Sequence, residues 1–173
     1  HGLRLRQQQE QLADMLQERL GAMTADLDAQ IEFHALNQRI LGGAQKAVFD
    51  YLATHDVAGY GFLRDVPGGI LNPMFEVHYA QNSSPYAPYA RAAWSGVFSG
   101  GGIFITPYGT RNAWNAIYNI THEVLHFSPA FSSSWMEEIN TVEFNPIKNP
   151  VHSQMSQFDV PAATSIYRSI HGH

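Results

Sequence analysis

Cysteine is absent from this sequence of 173 residues. Its absence excludes disulfide frameworks, thiolate zinc fingers, iron–sulfur clusters and cysteine nucleophiles. Charged residues are also few, at 14%, and the fifteen acidic ones outnumber the ten basic ones, which gives a formal net charge of −5. Nucleic-acid-binding surfaces are normally basic, so we expect no nucleic-acid partner.

Long apolar runs are missing as well. No stretch approaches eighteen uninterrupted apolar residues, so the sequence predicts no membrane span. The chain starts His1-Gly2, without an initiator Met or a signal-peptide pattern, and we interpret it as an excised domain of a larger protein. The 45% of hydrophobic residues is enough for a buried core, and nine histidines is a high count for this length.

The first third of the sequence is typical of helix. Apolar residues recur at three- and four-residue steps from Leu3 to about Leu41, where Gly42-Gly43 predicts a helix end. A second short helix fits Ala44–Thr54. We therefore expect residues 1–43 to form a helical lead-in packed on a domain of residues 44–173.

Two segments in the middle of the chain are predicted strands. Met74–Ala80 alternates in hydrophobicity, and Gly96–Phe98 together with Ile103–Thr106 suggests a second strand interrupted by glycines. The Ile103–Thr106 segment either pairs with an extended peptide by strand addition or is a plain core strand. The predicted fold class is α+β: a mainly helical single domain with a small antiparallel or mixed sheet beside the next helix.

The helix that follows these strands contains a motif typical of metal-binding enzymes. His122-Glu123-Val124-Leu125-His126 is an HExxH sequence inside a helix predicted from about Arg111 to Phe127, capped by Thr110 or Asn112. Residues four apart lie on one helix face, so both imidazoles can reach one metal ion. Glu123 points about 100° away, which suits a general base that takes a proton from an attacking water. The sequence therefore predicts one Zn²⁺ per chain.

A catalytic zinc usually has three protein ligands. The metzincin extension requires Gly at position 129 and His at 132, where this chain has Pro129 and Ser132. A carboxylate is the next candidate, and Trp135–Glu143 supplies three.

This segment resembles the second helix of gluzincin metallopeptidases, in its Trp-x-x-Glu form. The resemblance implies Glu138 as the third ligand, with Glu137 as the rival and Glu143 as a supporting or surface residue. The separation from His126 is short for that family, which implies a compact fold or a loop missing near Ser132–Ser134. Downstream, His152, Tyr167 and His171 are candidates for stabilising the oxyanion of the transition state, or are ordinary packing residues.

A wider resemblance rests on the lead-in Leu3–Leu41, the abrupt start and the sequence Asn119–Pro129 around the motif. The whole chain resembles the C-terminal metallopeptidase effector domain of VgrG-type spike proteins of type VI secretion. The resemblance implies a toxin joined to the remainder of such a spike, delivered by the injection machinery, and acting in the periplasm of a target bacterium. A cognate immunity protein would accompany it.

The function expected from the sequence is therefore that of a zinc metallopeptidase acting on a protein or peptide substrate. Two alternatives stay open. In one, zinc only staples a non-catalytic tip or binding module of a larger secretion protein. In the other, the same chemistry acts as an amidase or peptidase on the stem peptides of peptidoglycan.

Overall fold

A single helix, α1 (Gly2–Thr54), begins the computed structural model, which describes residues 2–81, 94–98, 100–132 and 150–172. The prediction that Gly42-Gly43 ends the first helix is wrong, because α1 continues through both glycines. Each glycine costs about 1 kcal/mol relative to Ala within a helix. Burial of Leu41, Ala44, Val48 and Leu52 on either side of them offsets that cost.

The chain divides into two compact units, His1–Leu36 and Asn37–His173. The second unit holds the sheet, the motif helix and the hydrophobic core. The expectation that residues 1–43 act as one packed lead-in stays a prediction.

Four short 3-10 helices and three strands follow α1. The strands are β1 (Val77–Tyr79), β2 (Ser95–Val97) and β3 (Ile103–Ile105). The 3-10 helices are Gly61–Asp65, Gly69–Leu71, Pro73–Phe75 and Tyr108–Thr110. The predicted strand over Met74–Ala80 is thus shorter at its start, because Asn72 caps a 3-10 turn there. The Asn72 side chain accepts a hydrogen bond from the Met74 amide at 2.9 Å.

The sheet is mixed, with the order β1-β3-β2. β3 pairs in parallel with β1 and antiparallel with β2. Strand addition of a peptide at β3 is therefore ruled out, because both its edges are already hydrogen-bonded and all three of its residues are buried. It is the core strand of the sheet.

The glycines expected to interrupt a strand instead separate β2 from β3. Gly101 and Gly102 have φ of +96° and +103°, and the Gly102 carbonyl accepts a bond from the Phe98 amide at 2.9 Å. Positive φ of this kind favours glycine. Residues on paired strands alternate between faces, so Ser95 lies on the same face as Ile105. His78, opposite Phe104 in the register, lies on the other face.

Two helices complete the second unit. Helix α2 (Ala113–Leu125) contacts β2, β3 and the last helix, α3 (Pro150–His171). The sequence from Ala162 to Ile170 also predicts a helical segment. It is confirmed as part of α3, which begins twelve residues earlier and accommodates Pro161. A short helix that the sequence predicts from Trp135 to about Phe144 lies outside the described residues.

The fold class is α+β, as predicted: mainly helical, with a small three-stranded mixed sheet beside the motif helix. The core includes Phe75, Ile103, Ile117 and Ile166, each at most 1% exposed. Across the described ranges, no helix combines the length and apolar character needed to cross a bilayer, in agreement with the sequence.

Candidate metal centre

The HExxH motif lies at the end of α2, with His122 in its last turn and His126 as the residue that caps its end. Asn112 caps the start of this helix, as one of the two predicted caps. Its side-chain oxygen accepts a hydrogen bond from the Asn115 amide at 2.8 Å. Buried Ile117, Ile120 and Val124 hold the helix against the core. The carbonyl end of a helix carries a partial negative charge, which favours a cation beside its last turn.

The two motif histidines lie side by side, as their spacing predicted. His122 and His126 are both buried, and their Nε2 atoms are 3.2 Å apart. In a metal-free protein, one Nε2–H donates to the lone pair of the other. Two nitrogens bound tetrahedrally at about 2.05 Å from one zinc ion would be about 3.3 Å apart, so the observed spacing also fits two ligands of one ion.

A third histidine joins them from α3. The candidate ligand atoms of His122, His126 and His152 all lie within 4.8 Å of one another, close enough to hold a metal ion. The ring centroid of half-buried His152 lies 5.0 Å from that of His122 and 6.0 Å from that of His126. The sequence singled out His152 for transition-state stabilisation, whereas its position in the cluster suits a third ligand.

The carboxylates that the gluzincin resemblance singled out cannot be placed. Glu137, Glu138 and Glu143 lie outside the described residues. Ligation by Glu138, or by its rival Glu137, therefore stays a prediction.

Asp159 orients the first motif histidine. It lies seven residues, or two helical turns, after His152 and so on the same face of α3. Its Oδ2 atom is 2.6 Å from Nδ1 of His122, and the carboxyl group is completely buried. A carboxylate accepts the Nδ1 proton, which leaves the lone pair of Nε2 to face the other two imidazoles. The sequence did not point to this residue, because its contact with His122 joins two helices that are 37 residues apart along the chain.

Glu123 approaches the cluster from the side of the sheet. Its carboxylate is buried, and its Oε1 atom accepts a hydrogen bond of 2.8 Å from the hydroxyl of Ser95 on β2. The same oxygen lies 4.0 Å from Nε2 of His122. This separation is too long for a direct hydrogen bond, and a water between the two atoms would lie within reach of both. Ser95 carried no recognisable signal in the sequence.

The electrostatic field of the two carboxylates extends to nearby tyrosines. Burial, and then the negative charges of Asp159 and Glu123, raise the pKa of Tyr118 well above its usual value. Tyr118 lies one turn before His122, and the two rings stack with centroids 5.9 Å apart. At physiological pH it is a neutral phenol.

Tyr60 braces the motif helix through its backbone. Its hydroxyl donates to the carbonyl of Thr121 at 2.9 Å. Burial above all, with a smaller contribution from the charge of Asp159, raises the pKa of Tyr60 well above 10.0. The phenol therefore stays protonated and keeps donating this bond at physiological pH.

The donor set fits a divalent cation. Three imidazoles are ligands that zinc commonly takes in proteins, and two carboxylates buried around them would otherwise place negative charge in the interior. A divalent ion would compensate that charge. Among the residues that the structure describes, this is the group of side chains with metal-binding geometry.

The remaining predicted site residues lie farther along α3. Tyr167 is fifteen positions beyond His152, which places it about 22 Å away along the helix. Its ring packs edge-on against Trp114, with ring centroids 5.8 Å apart. His171 stacks on Tyr167 with ring centroids 4.1 Å apart. The role of both residues in oxyanion binding stays a prediction.

Comparisons with known proteins do not assign a function to this site. No family model, no curated protein and no solved structure matches the chain. What supports a function is therefore the cluster itself.

Proposed function

We propose that this chain is a zinc-dependent peptidase. His122, His126 and His152 hold the metal ion, and Glu123 acts as the general base. One observation carries the proposal: three imidazoles converge at the end of α2 directly beside a buried carboxylate. Catalytic zinc sites combine three protein ligands with an open position in this way.

The chemistry divides between the ion and the chain. A bound zinc would polarise the scissile carbonyl and lower the pKa of the attacking water. Glu123 accepts the proton that this water loses and then donates it to the departing amine nitrogen, so that water is added across the peptide bond. Ser95 holds the Glu123 carboxylate in position by its hydrogen bond. Asp159 holds His122 in the tautomer that ligation requires.

The biological setting rests on the resemblance of the sequence alone. We propose that the peptidase is a toxin carried on a VgrG-type spike and released in the periplasm of a target bacterium. A cognate immunity protein would then protect the producing cell. The substrate is a protein or the peptide stem of the cell wall.

The competing function is a zinc staple, a non-catalytic site in which the ion only stabilises the fold. Whether Glu138 binds the ion distinguishes this function from the peptidase. If this carboxylate joins the three histidines, four protein ligands close the coordination sphere and leave no place for water. If it does not, the site stays open to substrate.

The Glu123→Gln variant tests the proposal. We expect it to keep one zinc per chain and to lose roughly 10²- to 10⁴-fold in hydrolysis of a denatured, fluorescently labelled protein or of purified peptidoglycan. Glu76→Gln, at an exposed carboxylate, is the matched control and should retain full activity.

Three results would contradict the peptidase. They are a metal-free native protein, full activity of Glu123→Gln, and four protein ligands with no water in the X-ray absorption spectrum of the zinc-loaded chain. The last result would favour the staple.

A further inference from the structure

The first part of α1, from Leu5 to His34, repeats with a period of eleven. Leucine occurs at positions 5, 16 and 27. The residues four and seven positions after each leucine belong to the same repeat. We call this set of nine positions the hendecad stripe. Its members are Leu5, Gln9, Leu12, Leu16, Leu20, Met23, Leu27, Ile31 and His34. Eleven residues make close to three complete helical turns, so the stripe runs along one face of the helix.

Seven of the nine members are large and apolar, and all seven are exposed. Their exposed fractions range from 50% for Leu16 to 66% for Ile31. An apolar stripe stabilises a helix only when it is buried against another surface. A helix that stays isolated would gain nothing from a stripe that continues for three repeats, or about 45 Å. A sustained repeat of this kind is the signature of helices that pack against one another along their length.

We propose that the hendecad stripe associates with the same stripe of a second copy of this chain, as a parallel coiled coil. Each of the seven apolar side chains exposes on the order of 100 Å², which gives roughly 700 Å² per chain. This approaches the roughly 800 Å² per partner that a stable protein–protein interface buries. The stripe alone thus offers an apolar area close to that of a stable interface.

The polar residue Gln9 within the stripe favours the parallel direction. In a parallel, in-register pair, Gln9 faces Gln9, so polar groups meet each other. In an antiparallel pair of the same stripe, Gln9 would face Ile31. Burying a polar group against an apolar one costs free energy, and this difference selects direction and register.

The charge of this segment argues against a membrane surface as the occupant. Residues 2–36 carry three arginines and six carboxylates, a net charge of −3. Helices that lie on membranes carry basic polar faces that are attracted to anionic lipids. An acidic helix would be repelled by that surface, whereas its apolar stripe can still pair with a copy of itself.

The mass of the full chain in solution tests the proposal. By light scattering coupled to size exclusion, we expect the native protein to have at least twice the mass of one chain. Leu16→Asp and, separately, Leu27→Asp should shift it to a single chain. The near-UV circular dichroism, to which the tryptophans and tyrosines of the second unit contribute, should be retained.

Met15→Asp is the matched control. Met15 is 51% exposed, much like Leu16, and so carries a comparable apolar surface. It lies about 100° from the middle of the stripe around the helix axis. We therefore expect this variant to keep the native mass. A native single chain at all concentrations, or an oligomer unaffected by both Leu substitutions, would overturn the association.

A single cysteine tests the direction, since the native chain has none. In the Gln9→Cys variant, a parallel pair brings the two introduced thiols face to face, and mild oxidation should link two chains covalently. In an antiparallel pair the thiols would lie about 33 Å apart along the helix axis. An oligomer that fails to cross-link would overturn the parallel arrangement, and vesicle binding by a native single chain would overturn the association in favour of a membrane occupant.

Discussion

Replacing Asp159 by asparagine probes the metal centre without touching a proposed ligand. The carboxylate is completely buried and accepts the Nδ1 proton of His122 over 2.6 Å. This is a short, charge-assisted hydrogen bond. The amide of the Asp159→Asn variant has nearly the same shape but no charge. It can present either its oxygen or its NH₂ group to the imidazole, so the tautomer of His122 is no longer fixed.

The expected cost follows from the role of this carboxylate. Loss of the partner that orients a ligand histidine lowers metal affinity by about 10- to 100-fold. At saturating zinc, this removes about 1.4–2.7 kcal/mol of metal-dependent stabilisation. In the metal-free protein the two effects of the substitution oppose each other, because the hydrogen bond weakens while a buried charge is removed. The difference in unfolding free energy between zinc-loaded and metal-free protein is therefore the diagnostic quantity.

Competition with a chromogenic zinc chelator measures the affinity, and urea unfolding with and without zinc measures the stability difference. Asp50→Asn is the control, because that carboxylate is exposed and pairs with Lys46 on the surface of α1. Zinc affinity of Asp159→Asn equal to that of the native protein would refute the orienting role. A loss of stability that is identical with and without zinc would do the same.

Three further predictions concern the surroundings of the site. Ser95→Ala should keep zinc but lower kcat, because the Glu123 carboxylate loses the hydroxyl that holds it in position; an unchanged kcat would count against that contact. Because the pKa of Tyr60 is raised by burial, the unfolded chain releases this proton near pH 10.0 and the folded chain does not. The free energy of unfolding should therefore fall above pH 10.0, less steeply in Tyr60→Phe, as denaturant titrations at rising pH would reveal. Gly109→Ala should lose about 1–3 kcal/mol in urea unfolding, since its Cβ would meet a backbone carbonyl oxygen. Gly42→Ala, with open space in α1, should instead gain about 0.5–1 kcal/mol, and equal effects would contradict this packing.

The part of the site that lies on α2 could be predicted from the sequence, because helix geometry depends only on residues close together in the chain. The spacing of His122 and His126 determines that both rings share a face, whatever surrounds the helix. The cap at Asn112 follows from side-chain chemistry over three residues. These features need no knowledge of the tertiary fold.

The long-range half of the site could not be predicted in the same way. His152 and Asp159 reach His122 because α3 packs against α2, and such a contact between distant parts of the chain leaves no periodic signal. Pro161 also obscured α3, since proline is normally disfavoured inside helices. Gly42-Gly43 misled the prediction of α1 for the related reason that core packing outweighs local propensity.

The number of zinc ions bound by His152→Ala tests the central claim most directly, with Glu138→Ala measured beside it. We expect one zinc per native chain, loss of that zinc in His152→Ala, and retention in Glu138→Ala, because three imidazoles form the proposed ligand set. Elemental analysis after dialysis against a weak chelator gives the stoichiometry. Full zinc in His152→Ala, together with its loss in Glu138→Ala, would contradict the account and favour the carboxylate as the third ligand.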